Sequence, residues 1–222
     1  MAGELDAIQI ETGPQPRAAV IWLHGLGADG SDFEPIVPEL RLPAQPAVRF
    51  VFPHAPVRAV TINNGMRMRA WYDIVGLDRK SAEDTAGFKD SDAKVRELIV
   101  REVGRGIPTK RIVLAGFSQG GAVSLYTAPR LRSTLAGVMA LSCYLPAEST
   151  FLAERAPENQ ATPIFMAHGQ FDNMVGMMLG TRSRDYLKSQ GYTVEWHDYP
   201  MAHSVSADEV ADIRQFLMRV LP

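Results

Sequence analysis

Residues Gly116-Phe117-Ser118-Gln119-Gly120 place a serine between two glycines, each two positions away, and the flanking segments suit that arrangement. Upstream, Arg111-Ile112-Val113-Leu114-Ala115 is a short apolar run of buried-strand type; downstream, Gly121-Ala122-Val123-Ser124-Leu125-Tyr126 can open a helix. A strand passing directly into a helix forces Ser118 onto a tight, strained turn with its hydroxyl pointing outward. Glycines at 116 and 120 are needed because a Cβ there would collide with the neighbouring strand and helix. The new helix aims its free N–H groups and positive dipole end at whatever the hydroxyl attacks. The chemistry implied is nucleophilic acyl transfer. Such a five-residue match alone arises by chance in many chains; the strand before it and the helix after it give it weight.

A serine hydroxyl is a weak nucleophile near neutral pH, so it needs a base, and the base needs an orienting acid. Pro163-Ile164-Phe165-Met166-Ala167 is another buried-strand run, leading through His168-Gly169-Gln170-Phe171 to Asp172. Thr193 to Tyr199 reads as a strand, followed by Pro200-Met201-Ala202-His203. Ser118, Asp172 and His203 therefore sit on loops that each follow a strand end, and parallel strands bring such ends to one edge. The chain has five histidines. His24 lies in a Gly-rich loop, His54 in a Pro-flanked turn, and His197 inside a strand; His168, just before the acid, is expected to brace its loop. Only His203 combines a post-strand loop with a helix start, at Ser204 to Glu209. Asp172 is the preferred acid, with Asp198 its rival because it lies five residues before His203.

Acyl transfer also needs donors for the developing oxyanion. Ala19-Val20-Ile21-Trp22-Leu23 reads as a buried strand, followed by His24-Gly25-Leu26-Gly27-Ala28-Asp29-Gly30. One donor is expected to be the N–H of Gln119, the residue after the serine, and the other an N–H of this early loop, most plausibly that of Leu26. Glycines at 25 and 27 let the backbone approach a substrate closely. Without Ser118 the same loop would read as a plain turn.

These segments, together with Phe52-Pro53-His54-Ala55-Pro56, Val60-Thr61-Ile62-Asn63, Ala70-Trp71-Tyr72-Asp73-Ile74 and Tyr199-Pro200-Met201-Ala202-His203, resemble the small carboxylesterases and acyl-protein thioesterases of the α/β-hydrolases, the phospholipase/carboxylesterase group. The resemblance runs along essentially the whole chain. It implies a triad of Ser118, Asp172 and His203, an oxyanion hole of Leu26 and Gln119, and hydrolysis of carboxylic esters or thioesters without cofactor or metal. It implies an aromatic acyl-pocket residue at Trp71, for which buried packing is the competing reading, and it raises a homodimer. Two stretches depart from the family pattern: Asn173-Met174-Val175-Gly176-Met177-Met178 replaces a Val-Val-Pro type sequence, and Arg69 stands before the tryptophan where proline is common. Met66, Met68, Met174, Met177 and Met178 could supply an adaptable apolar wall, with Met174 as a substrate contact, or simply fill core gaps. The leading expectation is an esterase for short to medium acyl chains; the alternatives are an acyl-protein thioesterase of palmitoyl type, a lysophospholipase, or, least favoured, a hydrolase fold used for binding.

Composition bounds the rest. A chain of 222 residues, 46% apolar, is the right size for a single α/β domain spanning 1–222. Its 23 basic and 25 acidic residues leave a net charge of −2, which argues against a nucleic-acid groove. A single cysteine, Cys143, excludes an intrachain disulfide, and no signal-like or membrane-length apolar run is present, so a cytoplasmic protein without stable membrane insertion is expected. Strand-like runs alternate with helical ones, predicting a mostly parallel central sheet covered by helices on both faces. Strands are expected at 5–10, 18–23, 48–52, 136–143, 163–168 and 193–199, besides the one entering Ser118. Helices are expected at 31–41, before that strand, at 179–189 and at the end of the chain. The turn-rich stretch 53–88 is expected to be a long loop forming a lid over the site.

Overall fold

The structure, a computed structural model, describes residues 5–76 and 82–221. Its strands are β1 (Ala7–Glu11), β2 (Ala18–Leu23), β3 (Val48–Pro53), β4 (Val57–Val60), β5 (Met66–Arg69), β6 (Ile112–Phe117), β7 (Gly137–Leu141), β8 (Ile164–Gly169) and β9 (Val194–Tyr199). Its α-helices are α1 (Ile36–Glu39), α2 (Thr85–Gly104), α3 (Gln119–Thr127), α4 (Glu148–Glu154), α5 (Met177–Ser189) and α6 (Ala207–Val220). Seven strands form one sheet in the order β1-β3-β2-β6-β7-β8-β9. Only the edge strand β1 runs antiparallel to its neighbour; every other pairing is parallel.

The apolar runs are unbroken because the central strands are covered on both faces. Alternate residues of β2 show this directly. Ala19, Ile21 and Leu23 join a core with Phe88, Val95 and Leu98 of α2 and Leu187 of α5. Ala18, Val20 and Trp22 join another with Phe33, Leu40, and Ile213, Phe216 and Leu217 of α6. Successive side chains of a strand point to opposite faces, so these two cores lie on opposite sides of the sheet.

Two expectations change. The helix expected over 31–41 contracts to the single turn Ile36–Glu39, within a series of turns. Pro35 and Pro38 remove backbone donors there, and Arg41 takes a positive φ of 45°. The stretch 53–88 is not one irregular loop: β4 and β5 pair as a two-stranded antiparallel ribbon within it, and its last residues open α2. Helix α4 had no counterpart in the sequence reading. Part of that stretch, 77–81, lies outside the described residues.

The loop between β9 and α6, which carries His203, is tied at both ends. Tyr199 Oη donates to Asp212 Oδ2 of α6 (2.8 Å), and Ser206 caps α6 by accepting from Glu209 N (3.2 Å). Glu209 itself is fully buried and neither carboxyl oxygen has a hydrogen-bond partner among the described residues. Burial pushes its carboxyl up to about 8, the nearby Ser206 amide opposing the rise and Asp212 adding to it. Glu209 is therefore neutral in the folded protein at neutral pH but ionised in the unfolded chain. Its contribution to stability is complete below the ordinary glutamate range and is lost as pH rises through about 8. Glu209→Gln is accordingly expected to match the wild type in thermal melts at pH 5. At pH 9 it should melt roughly 5–10 °C higher, a difference of a few kcal/mol. Equal melting points at pH 9 would refute a buried neutral carboxyl.

Candidate functional site

Ser118 joins β6 to α3 with φ 53° and ψ −118°, a backbone conformation that costs an L-residue strain. The turn is possible because of its glycines. A Cβ on Gly116 would lie 2.2 Å from the Gly120 carbonyl carbon, and one on Gly120 would lie 2.3 Å from Leu23 O and 2.7 Å from His24 O. Ser118 N donates to Leu141 O (2.8 Å), pinning the turn to the end of β7. The side chain is half-buried. Cys143 offers no competing nucleophile, since burial holds its thiol far above the usual range.

His203 Nδ1 and Asp172 Oδ2 are 2.7 Å apart. The other carboxylate oxygen, Oδ1, accepts from Met174 N (2.9 Å) and Val175 N (2.8 Å), which fixes the carboxylate plane. The two loops are laced together by backbone: Gln170 N donates to Tyr199 O (2.8 Å) and Phe171 N to Met201 O (3.0 Å). Gly169 makes this approach feasible, because a Cβ there would sit 2.3 Å from Ala202 O. His168 braces the acid loop as expected, donating from Nε2 to Val175 O (2.7 Å). The rival acid is engaged elsewhere: Asp198 Oδ2 accepts from Gln170 Nε2 (2.6 Å) and Oδ1 from Trp196 Nε1 (3.2 Å). Geometry thus pairs His203 with Asp172. Ser118 Oγ is not hydrogen-bonded to His203 among the described residues; such bonds are often long without substrate and tighten when it binds.

The loop after β2 abuts this turn. The position of a Cβ on Gly25 is 3.5 Å from Ser118 Cβ. Gln119 N–H, at the first position of α3, and Leu26 N–H have no acceptor among the described residues. His24 is structural. Its Nε2 accepts from Ala55 N (3.0 Å), so the proton is on Nδ1, which donates to Gly25 O (2.7 Å). Burial pushes this imidazole down to about 4, so it stays neutral.

Trp71 is wholly buried, and its place differs from the pocket wall suggested by resemblance. Its Nε1 donates to His24 O (2.9 Å), its carbonyl accepts from Ser91 Oγ, and its N–H goes to Gln119 Oε1 (2.7 Å). Gln119 Nε2 donates in turn to Tyr72 O (2.7 Å). The indole therefore props the Gly-rich loop from behind. Met174, 63% exposed, lines a cavity of about 530 Å³ together with Tyr72, Ile74, Tyr144, Leu145 and Leu179. This volume is typical of small-molecule sites. None of the five singled-out methionines is buried, so they are not core fillers; Met68 Sδ lies 3.6 Å from the Cβ position of Gly27.

Two participants escaped the sequence reading. The Gln119 side chain bridges residues 71 and 72, although only its N–H had been considered. The Phe117 ring packs on the His203 imidazole, centroids 4.6 Å apart. Motif spacing marks both positions as variable, so no local signal points to either.

Comparison with known proteins supports the fold and shows the family. A family model described as phospholipase/carboxylesterase matches residues 6–221. An acyl-protein thioesterase 1 of Neurospora crassa is 43% identical, covering 92% of this chain and 87% of its own. One from Mycosarcoma maydis is 39% identical, covering 97% and 96%. Among solved structures, Zea mays acyl-protein thioesterase 2 superposes with a TM-score of 0.88 at 28% identity, covering 98% of this chain and 99% of its own. Arabidopsis thaliana SOBER1 superposes equally well, TM-score 0.88 at 32% identity, covering 93% and 100%. With its mostly parallel sheet, helix-covered faces and serine turn, the chain belongs to the phospholipase/carboxylesterase family of α/β-hydrolases.

Proposed function

We propose that this protein is a serine thioesterase that removes acyl groups from protein thiols, with carboxylic esters as secondary substrates. The observation that carries the hydrolytic part is the Asp172–His203 pair at 2.7 Å, on the same sheet edge as the strained Ser118 turn. The preference for thioesters over the esters first expected rests on the names of the relatives, which are acyl-protein thioesterases.

In the proposed mechanism His203 Nε2 takes the Ser118 proton as Oγ attacks the carbonyl carbon. Asp172 keeps the other imidazole proton on Nδ1 and stabilises the imidazolium. The oxyanion is held by the N–H groups of Leu26 and Gln119. The C–S bond then breaks, the thiolate takes the proton from His203, and an acyl-serine remains. Water repeats the sequence, releasing the acid and restoring Ser118. The cavity beside Met174 would receive the acyl chain. No helix among the described residues is long and apolar enough to cross a membrane.

The test is kcat/KM for matched thioesters and oxygen esters from acetyl to palmitoyl. The expected result is a higher value for thioesters, rising with chain length. Preference for short oxygen esters would return the reading to a carboxylesterase.

A further inference from the structure

The Asp172 hydrogen bond holds His203 by one edge only. A single N–H···O contact leaves the ring free to pivot about that contact, which would swing Nε2 away from Ser118. The faces must be held by something else. On one side stands Phe117, its ring centroid 4.6 Å from that of the imidazole with the planes inclined at 45°. Phe117 is in turn backed by Phe33 (5.5 Å), and Phe33 is stacked on Trp22 (5.2 Å, 26°). Trp22 belongs to fully buried β2, and Phe33 is nearly buried. The column thus runs from the sheet interior to the imidazole.

We propose that Phe117 is a positioning residue for His203, its aromatic face holding the ring and stabilising the imidazolium formed as Ser118 is acylated. An aromatic face within about 6 Å of a cation attracts it through the ring quadrupole, an interaction absent for the neutral ring. The benefit appears only when His203 carries the extra proton. It is therefore a transition-state effect and belongs in kcat, not KM. This inference rests on the proposed roles of Ser118 and His203.

The test compares Phe117→Leu, Phe117→Tyr and Phe33→Leu in steady-state thioester hydrolysis, with thermal melts and the rate of covalent labelling by a fluorophosphonate. Phe117→Leu keeps an apolar side chain but no π-face; a fall in kcat of about 2- to 30-fold at nearly constant KM is expected. Phe117→Tyr should restore most of the loss, and Phe33→Leu should lose less than Phe117→Leu. If Phe117→Leu and Phe117→Tyr were equally active, or the loss lay in KM, Phe117 would be mere packing. If Phe117→Leu failed to fold, the comparison of wild type with Phe117→Tyr and Phe33→Leu still decides. Unchanged kcat in Phe33→Leu together with a collapse in Phe117→Tyr would refute the column. A wild type that the fluorophosphonate does not label at Ser118 would instead overturn the proposed function, and this inference with it.

Discussion

Ser118→Ala is expected to fold normally and to lose acyl turnover by on the order of 10⁶-fold. The substitution removes one oxygen atom and keeps the Cβ, so the turn between β6 and α3 retains its contacts. Its glycine clearances and the Ser118 N–H bond to Leu141 O do not involve the hydroxyl. What disappears is the atom that forms the acyl bond. Donors at Leu26 and Gln119 would still polarise a bound carbonyl, so a residual rate of about 10³–10⁴ over water can persist. The measurements are thioester turnover, fluorophosphonate labelling and a thermal melt on the same sample. A variant with near-normal turnover would end the serine mechanism outright.

Asp172→Asn is expected to lower kcat by about 10⁴-fold with little change in fold. The reason lies in the two amides that hold Oδ1, from Met174 and Val175. They demand an acceptor, so an asparagine would place its carbonyl oxygen there and turn its NH2 toward His203 Nδ1. That nitrogen would then have to accept, moving the ring proton to Nε2. An Nε2 that already carries a proton cannot take one from Ser118. Asp198→Asn is the control. Its carboxylate holds the side chains of Gln170 and Trp196, and its loss should change kcat only a few-fold. A larger loss for Asp198→Asn than for Asp172→Asn would reverse the assignment of the acid.

The serine turn was legible because steric need and residue type coincide: Gly116 and Gly120 stand where any Cβ meets backbone. The strands were legible because β2, β7 and β8 are buried at every position and so read as unbroken apolar runs. The preference for Asp172 over Asp198 rested on loop position alone, with no residue pattern to exclude the rival. Asp172 follows the end of β8, whereas Asp198 lies within adjacent β9, near its end, with His168 in register beside it, and the direction of each carboxylate separates them. Trp71 was left between a pocket wall and buried packing for a related reason. An aromatic next to a site reads alike whether it faces substrate or props a loop, and its three hydrogen-bonding partners are far away in sequence. The ribbon of β4 and β5 was missed because both strands are short, half of their residues are exposed and arginines interrupt them, leaving little apolar pattern to read.

The carboxylate of Asp172 is gripped by main-chain amides and not by the side chains of Met174 and Val175, and those same two residues form part of the cavity wall. The side chains there can be exchanged without disturbing the proton relay, provided the turn keeps its path. Selectivity can therefore drift while reactivity stays put, and a sequence such as Asn173 to Met178 can diverge from its kin without loss of the hydrolytic apparatus. For redesign of the proposed acyl site, this short segment is the place to alter which chains are accepted, and Gly169 and Gly120 are the places to leave alone.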